Sequence, residues 1–129
     1  MKLKGLVQSG LGEGQFFLSL PPYRQGFEQV LGFAPFAGTL NVRVAEKDVA
    51  QVERLRKNPA LHVPGFKAEG REYFQLGLVR ARILGEEGAL VFPFFNHHPP
   101  GVLEFVAAKN MRKKFGLQDG EEVEVGIEE

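Results

Sequence analysis

Seven short segments rich in β-branched and aromatic residues, each bounded by glycine or proline, constrain this chain more than any other feature: residues 2–7, 15–20, 39–44, 73–84, 89–94, 102–107 and 122–127. Each reads as a strand. So many strands in 129 residues must dispose of their edges, because an unpaired edge recruits other chains, and closing the sheet on itself removes the edges altogether. The pattern predicts an all-β fold, a small closed β-barrel with short peripheral helices. Segment 38–44, GTLNVRV, alternates cleanly, so Leu40, Val42 and Val44 are expected to face the core while Thr39 and Asn41 share the opposite face. Helices are expected at 23–31, after Pro21-Pro22 and ended by Gly32, and at 48–57, where Val49, Val52 and Leu55 recur every three residues. A third short turn of helix at 110–115 ends at Gly116, before a Gln118-Asp119-Gly120 turn.

The length suits a single domain spanning 1–129. Sixteen Lys plus Arg balance sixteen Asp plus Glu, and proteins that coat a phosphate backbone usually carry a basic excess, so a nucleic-acid partner is not expected. A small phosphorylated ligand needs only a few local cations. The absence of cysteine excludes disulfides, thiolate zinc sites and a thiol nucleophile. No apolar stretch has the length of a membrane span and MKLKGLVQSG lacks a signal-peptide core, so the expectation is a cytoplasmic protein without membrane association. Nothing in the residues sets the oligomeric state.

Several residues could carry chemistry. The stretch Ser9-Gly10-Leu11-Gly12-Glu13-Gly14 alternates glycine with other residues; it makes either a tight hairpin loop or a nest of backbone N–H groups facing phosphate oxygens between two strands. The spacing is not the dinucleotide fingerprint, and Gln15-Phe16-Phe17-Leu18-Ser19-Leu20 lacks a helical period, which argues against an anion site at a helix start. Thr39 and Asn41 set a hydroxyl and an amide oxygen on one strand face, either as exposed polar surface or as two neutral ligands of a hard cation such as Mg²⁺. Glu104 stands in the apolar run Val102–Val106, facing solvent or accepting hydrogen bonds in a pocket. The basic run 109–114, KNMRKK, is either a solvated helix face or part of a nucleotide pocket. Adjacent His97 and His98 point to opposite sides of an extended chain and do not make a zinc site. No Ser-His-Asp constellation, Walker loop or protein-kinase motif is present.

Taken in order, SGLGEG, LGFAPFAGTLNV, HPPGVLEFVA and FGLQDGEEVEV resemble the CTP-dependent riboflavin kinases typical of archaea, over nearly the whole chain. The resemblance implies a six-stranded cradle-loop barrel that transfers the γ-phosphate of CTP to the 5′-hydroxyl of riboflavin, giving FMN and CDP. By motif, Gly10, Leu11, Gly12, Glu13, Gly14 and Gln15 would cradle CTP, and Lys109, Asn110, Met111 and Arg112 would complete the nucleotide pocket. Thr39 and Asn41 would hold Mg²⁺. Asn96 and Glu104 would face the flavin, with Glu104 the candidate catalytic base.

The chain departs from the family pattern at Phe95-Asn96-His97-His98-Pro99, where the family reads Arg-Thr-x-His-Pro, and at Ala37 and Ala108, where it prefers proline. Losing an arginine at Phe95 removes a cation from the expected flavin site, since phenylalanine has no donor to offer a phosphate. A flavin- or nucleotide-binding module without turnover is the alternative that this substitution favours. A barrel-type DNA-binding regulator is a further alternative, suggested by the Gly116–Glu121 turn and opposed by the zero net charge.

Overall fold

The computed structural model describes residues 1–10, 13–93 and 99–128. Among the described residues, nine strands and four α-helices follow one another: β1 (Lys2–Gln8), α1 (Glu13–Ser19), α2 (Pro21–Leu31), β2 (Leu40–Val44), α3 (Val49–Lys57), β3 (Leu61–Val63), β4 (Phe66–Ala68), β5 (Arg71–Tyr73), β6 (Leu76–Ile83), β7 (Glu86–Pro93), β8 (Val102–Ala107), α4 (Met111–Phe115) and β9 (Glu122–Ile127). Six of the strands pair antiparallel in the order β6-β7-β8-β2-β1-β9, and β9 returns to β6 through Ala81↔Ile127 and Ile83↔Val125. The sheet is thus a closed six-stranded barrel, as the strand-rich pattern requires. β6 can close it because its eight residues serve two partners along one edge. β3 takes the first part, Leu61↔Leu78 to Val63↔Leu76, and β9 takes the last.

Side-chain alternation explains two different sequence textures. β1 and β9 alternate exposed and buried residues, because only their inner face is covered. Val7, Val42, Leu90, Leu103, Phe105 and Val125, all nearly inaccessible, fill the interior. In β6, β7 and β8 apolar residues run almost continuously, because α2 lies on their outer face and packs Tyr23, Phe27 and Leu31 against Leu78, Ala89 and Val106. The two ends of the barrel are closed by α3, which inserts Val52, and by α4, which inserts Met111. These helices follow the C-terminal ends of β2 and β8, and antiparallel pairing puts those ends at opposite rims.

Leu40, Val42 and Val44 are buried as their alternation predicts. Two expectations are corrected. Residues 15–20 do not form a strand; residues 13–19 are helical. Both edges of β1 are already occupied, by β2 and by β9, so the segment after it has no ladder to join and satisfies its backbone locally. Packing then decides the face: Leu18 is buried in the outer cluster while Phe17 meets Tyr23 edge-on, 6.3 Å between ring centroids. The strand expected over 73–84 is broken at Phe74-Gln75, where the backbone of Gly65 crosses so closely that a Cβ would lie 2.3 Å from the Tyr73 carbonyl oxygen. Tyr73 ends a separate hairpin of β4 and β5, turned by Glu69 and Gly70 at φ 51° and 73°. Left-handed pairs of this kind suit the twist of a two-residue hairpin loop, and Leu84-Gly85 repeats the device between β6 and β7.

Among the described residues, Phe27 is the largest side chain wholly removed from solvent, whereas Phe16 is 48% exposed. Urea unfolding of Phe27→Ala is expected to show a loss of about 3–5 kcal/mol. Phe16→Ala should stay within about 0.5 kcal/mol of the parent protein.

Candidate active site

Antiparallel pairing carries the C-terminal end of β1, the N-terminal end of β2 and the C-terminal end of β8 to one rim, with Gln8 opposite Asn41 and Leu40 opposite Phe105. The connections leaving those ends surround a cavity of about 440 Å³. Among the described residues, its walls come mainly from three stretches distant in sequence: residues 8–10 with 14–15, Phe36 to Asn41 and Lys109 to Arg112. Gly10, Gly14, Gln15, Thr39, Asn41, Lys109, Asn110, Met111 and Arg112, singled out from sequence, all line it.

Asn41 is the one buried polar residue among the described residues, 6% exposed. A buried amide must be hydrogen-bonded, and the Thr39 hydroxyl donates to its Oδ1 at 3.3 Å. Two glycines of the SGLGEG stretch stand directly against this pair. A Cβ on Gly10 would lie 1.8 Å from Asn41 Nδ2, and one on Gly14 would lie 2.9 Å from Thr39 Cγ2 and 3.0 Å from its Oγ1. Neither glycine has positive φ. Their absent side chains therefore serve close approach to Thr39 and Asn41. The stretch also leads from a strand into a helix and does not join two strands, which corrects the expected placement of a nest.

The Thr39–Asn41 pair is compatible with a cation. Two oxygens in adjacent positions of an octahedral magnesium shell lie about 2.9 Å apart, so the observed 3.3 Å needs only a small adjustment. The described residues contain no group of three acidic or histidine side chains able to hold a metal. The negative charge at such a site would come from a ligand.

In the third wall, two residues have structural duties as well. Asn110 is the N-cap of α4, its side chain accepting from the Lys113 N–H at 3.2 Å, and Met111 is a core residue. Lys109 has no salt bridge with a described residue, while Lys114 is committed to Glu86 at 2.6 Å. That hydrogen bond holds the Glu86 carboxyl below the usual carboxylate range. Arg112 donates to Asp119 Oδ1 at 2.6 Å, and Ser9 donates to Oδ2 at 2.7 Å. Asp119 is likewise held below its ordinary range, first by the Ser9 hydrogen bond and then by Arg112.

Glu104 is half-buried on β8 opposite Asn41, but it does not line the cavity. Asn96, Leu11 and Gly12 lie outside the described residues, as does Phe95; of Glu13 only its place in α1 is described. Sequence reasoning missed Ser9, Asp119 and Phe36. Phe36 lines the cavity with 41% of its surface exposed, and an aromatic two positions before Gly-Thr-x-Asn was the available signal. A second cavity, about 630 Å³, lies beside β6 and β9 and includes Lys2, Arg80, Arg82 and Glu87. It is larger, but Arg82 is paired with Glu87 and none of the candidate residues reaches it.

Comparison with known proteins gives the family. Residues 7–127 match the family model CTP-dep_RFKase, described as "Domain of unknown function DUF120". The chain is 42% identical over 127 residues to the riboflavin kinase of Pyrobaculum calidifontis, covering 98% of this chain and 60% of that protein. It is 39% identical over 127 residues to the riboflavin kinase of Archaeoglobus fulgidus, covering 54% of it, and 41% identical over 125 residues to that of Ignicoccus hospitalis, covering 70%. The chain belongs to the CTP-dependent riboflavin kinase family. It spans about 60% of the length of its Pyrobaculum relatives.

The contact between Gly10 and Asn41 can be tested by a double-mutant cycle. Gly10→Ala is expected to destabilise the protein by about 1–3 kcal/mol in urea unfolding, since the new methyl must displace a packed amide. In an Asn41→Ala background the same change should cost less than about half as much. Equal costs in both backgrounds would show that the two residues do not touch.

Proposed function

We propose that this chain transfers the γ-phosphate of CTP to the 5′-hydroxyl of riboflavin, giving FMN and CDP, with Mg²⁺ as its metal, and that it works as one domain in the cytoplasm. The observation that carries the reading is the meeting of residues 8–10, 14–15, 36–41 and 109–112 around one cavity. Family membership supplies the reaction class.

Phosphoryl transfer asks mainly for positioning and for neutralisation of phosphate charge, and a protein can provide both without a covalent intermediate. In this reading the backbone of Gly10 to Gln15 receives the CTP phosphates, helped by the charges of Lys109 and Arg112. Thr39 and Asn41 hold the metal, which when bound neutralises charge on the phosphates. Glu104, in register with Asn41 on the neighbouring strand, faces the flavin together with Asn96 and is the candidate base for the 5′-hydroxyl. Phe36 offers the cavity an aromatic face.

Purified protein incubated with riboflavin, Mg²⁺ and either CTP or ATP is expected to form FMN from CTP and much less from ATP, as read by chromatography. Thr39→Val suits a strand and removes one oxygen, so it should keep the fold while raising the Mg²⁺ concentration needed for half-maximal rate. Absence of FMN with every nucleoside triphosphate, together with tight binding of FMN or CDP, would replace the kinase by a binding module.

A further inference from the structure

We infer that Asp119 is a positioning residue of the nucleotide site, a carboxylate strut that joins two walls of the cavity by holding Ser9 on one side and Arg112 on the other. The inference rests on the reading of this cavity as the nucleotide site. Asp119 belongs to the turn between α4 and β9, whereas Ser9 follows β1, 110 residues away in sequence. Each carboxylate oxygen has its own partner: the Ser9 hydroxyl donates to Oδ2 at 2.7 Å and Arg112 Nη2 donates to Oδ1 at 2.6 Å. Ser9 and Arg112 both line the cavity, and Asp119 does not. Whatever Asp119 does for a ligand, it does through them.

The turn that carries it is itself anchored to the end of β1. The Val7 N–H donates to the Glu121 carbonyl and the Gly120 N–H to the Val7 carbonyl, both at 2.8 Å, and Gly120 adopts φ 91°, which a side chain would resist. The carboxylate therefore has a fixed base. Arg112 also donates to the Leu117 carbonyl at 3.5 Å. Among the described residues, Arg112 uses two of its five guanidinium N–H donors, which sets the plane of the group and leaves others for an anion.

Fold stability does not explain the arrangement. The side chains of Arg112 and Asp119 are 37% and 55% exposed, and ion pairs so exposed contribute little. Two effects on an anionic ligand compete here. As a counter-charge, Asp119 weakens the local positive potential, and its removal would tighten nucleotide binding. As a strut it holds an otherwise flexible arginine and the start of the glycine stretch in place, and its removal would loosen binding. The use of both oxygens by two different walls favours the strut, and the sign of the change separates the two.

The test is steady-state kinetics with CTP and riboflavin varied separately, supported by calorimetric titration of CDP, on the parent protein, Asp119→Asn, Ser9→Ala, Ser9→Thr and the Ser9→Ala/Asp119→Asn double variant. Asp119→Asn should raise the nucleotide KM about tenfold while the riboflavin KM and kcat stay within about twofold. Ser9→Ala should raise the nucleotide KM about threefold, Ser9→Thr should restore it, and the double variant should be no worse than Asp119→Asn alone. A nucleotide KM that is unchanged or lowered, or an equal rise for both substrates, would overturn the strut. Should Asp119→Asn fail to fold, the Ser9→Ala and Ser9→Thr pair decides by the same criterion. A parent protein that binds no nucleoside di- or triphosphate would instead overturn the reading of the cavity, and the strut with it.

Discussion

Pairing on both edges of β2 is the constraint on which the rest depends. Val42 is wholly buried inside the barrel while its neighbour Asn41 stands at the cavity, between Gln8 on β1 and Glu104 on β8. Because side chains on a strand alternate, a slip of one residue would turn Asn41 inward and Val42 outward. Core and site are thus locked to one register. The burial of Leu40, Val42 and Val44, which drives folding, also sets Thr39 and Asn41 side by side. The same pairing delivers the glycine stretch and α4 to the same rim, so the sheet itself brings the distant segments of the cavity together.

Within that frame, charge is distributed locally. A chain with no formal net charge can present a cationic cavity where its acidic side chains lie elsewhere or are engaged with other partners. Glu86 is held by Lys114 and Asp119 by Ser9 and Arg112, each through hydrogen bonds that favour the ionised carboxylate. Lys109 makes no salt bridge with a described residue, though Glu86 feels its charge, and it lines the cavity. The basic run is therefore neither wholly a solvated face nor wholly a binding patch: Lys114 serves the surface, Met111 the core, Asn110 the helix cap, and Lys109 and Arg112 the cavity.

Much of this was legible in the sequence. The strands with one covered face announced themselves by alternation, and nine of the candidate residues line one cavity, while Glu104 stands outside it and Asn96, Leu11 and Gly12 lie outside the described residues. What was not legible was non-local. Residues 15–20 carry strand-like composition, but both edges of β1 were taken, and no propensity within the segment reveals that. The β4–β5 hairpin was masked by the apolar run that follows it, and only the passage of Gly65 against Phe74-Gln75 breaks the run. Gly10 and Gly14 read as phosphate-cradling residues, whereas the structure adds a steric reason for each: there is no room for a side chain beside Asn41 or Thr39. Asp119 read as a turn residue because its partners, Ser9 and Arg112, are brought to it by the barrel.

The central claim is that one cavity, walled by the glycine stretch, the Thr39–Asn41 strand end and the start of α4, receives the nucleotide. Amide chemical shifts recorded during titration of the protein with CDP and Mg²⁺ address it most directly. The account predicts saturable shifts at Gly10, Gly14, Thr39, Asn41, Lys109 and Arg112, with little change at Lys2, Arg80, Arg82 and Gly126 around the second cavity. Shifts confined to the second group, with the first unmoved at saturation, would contradict it.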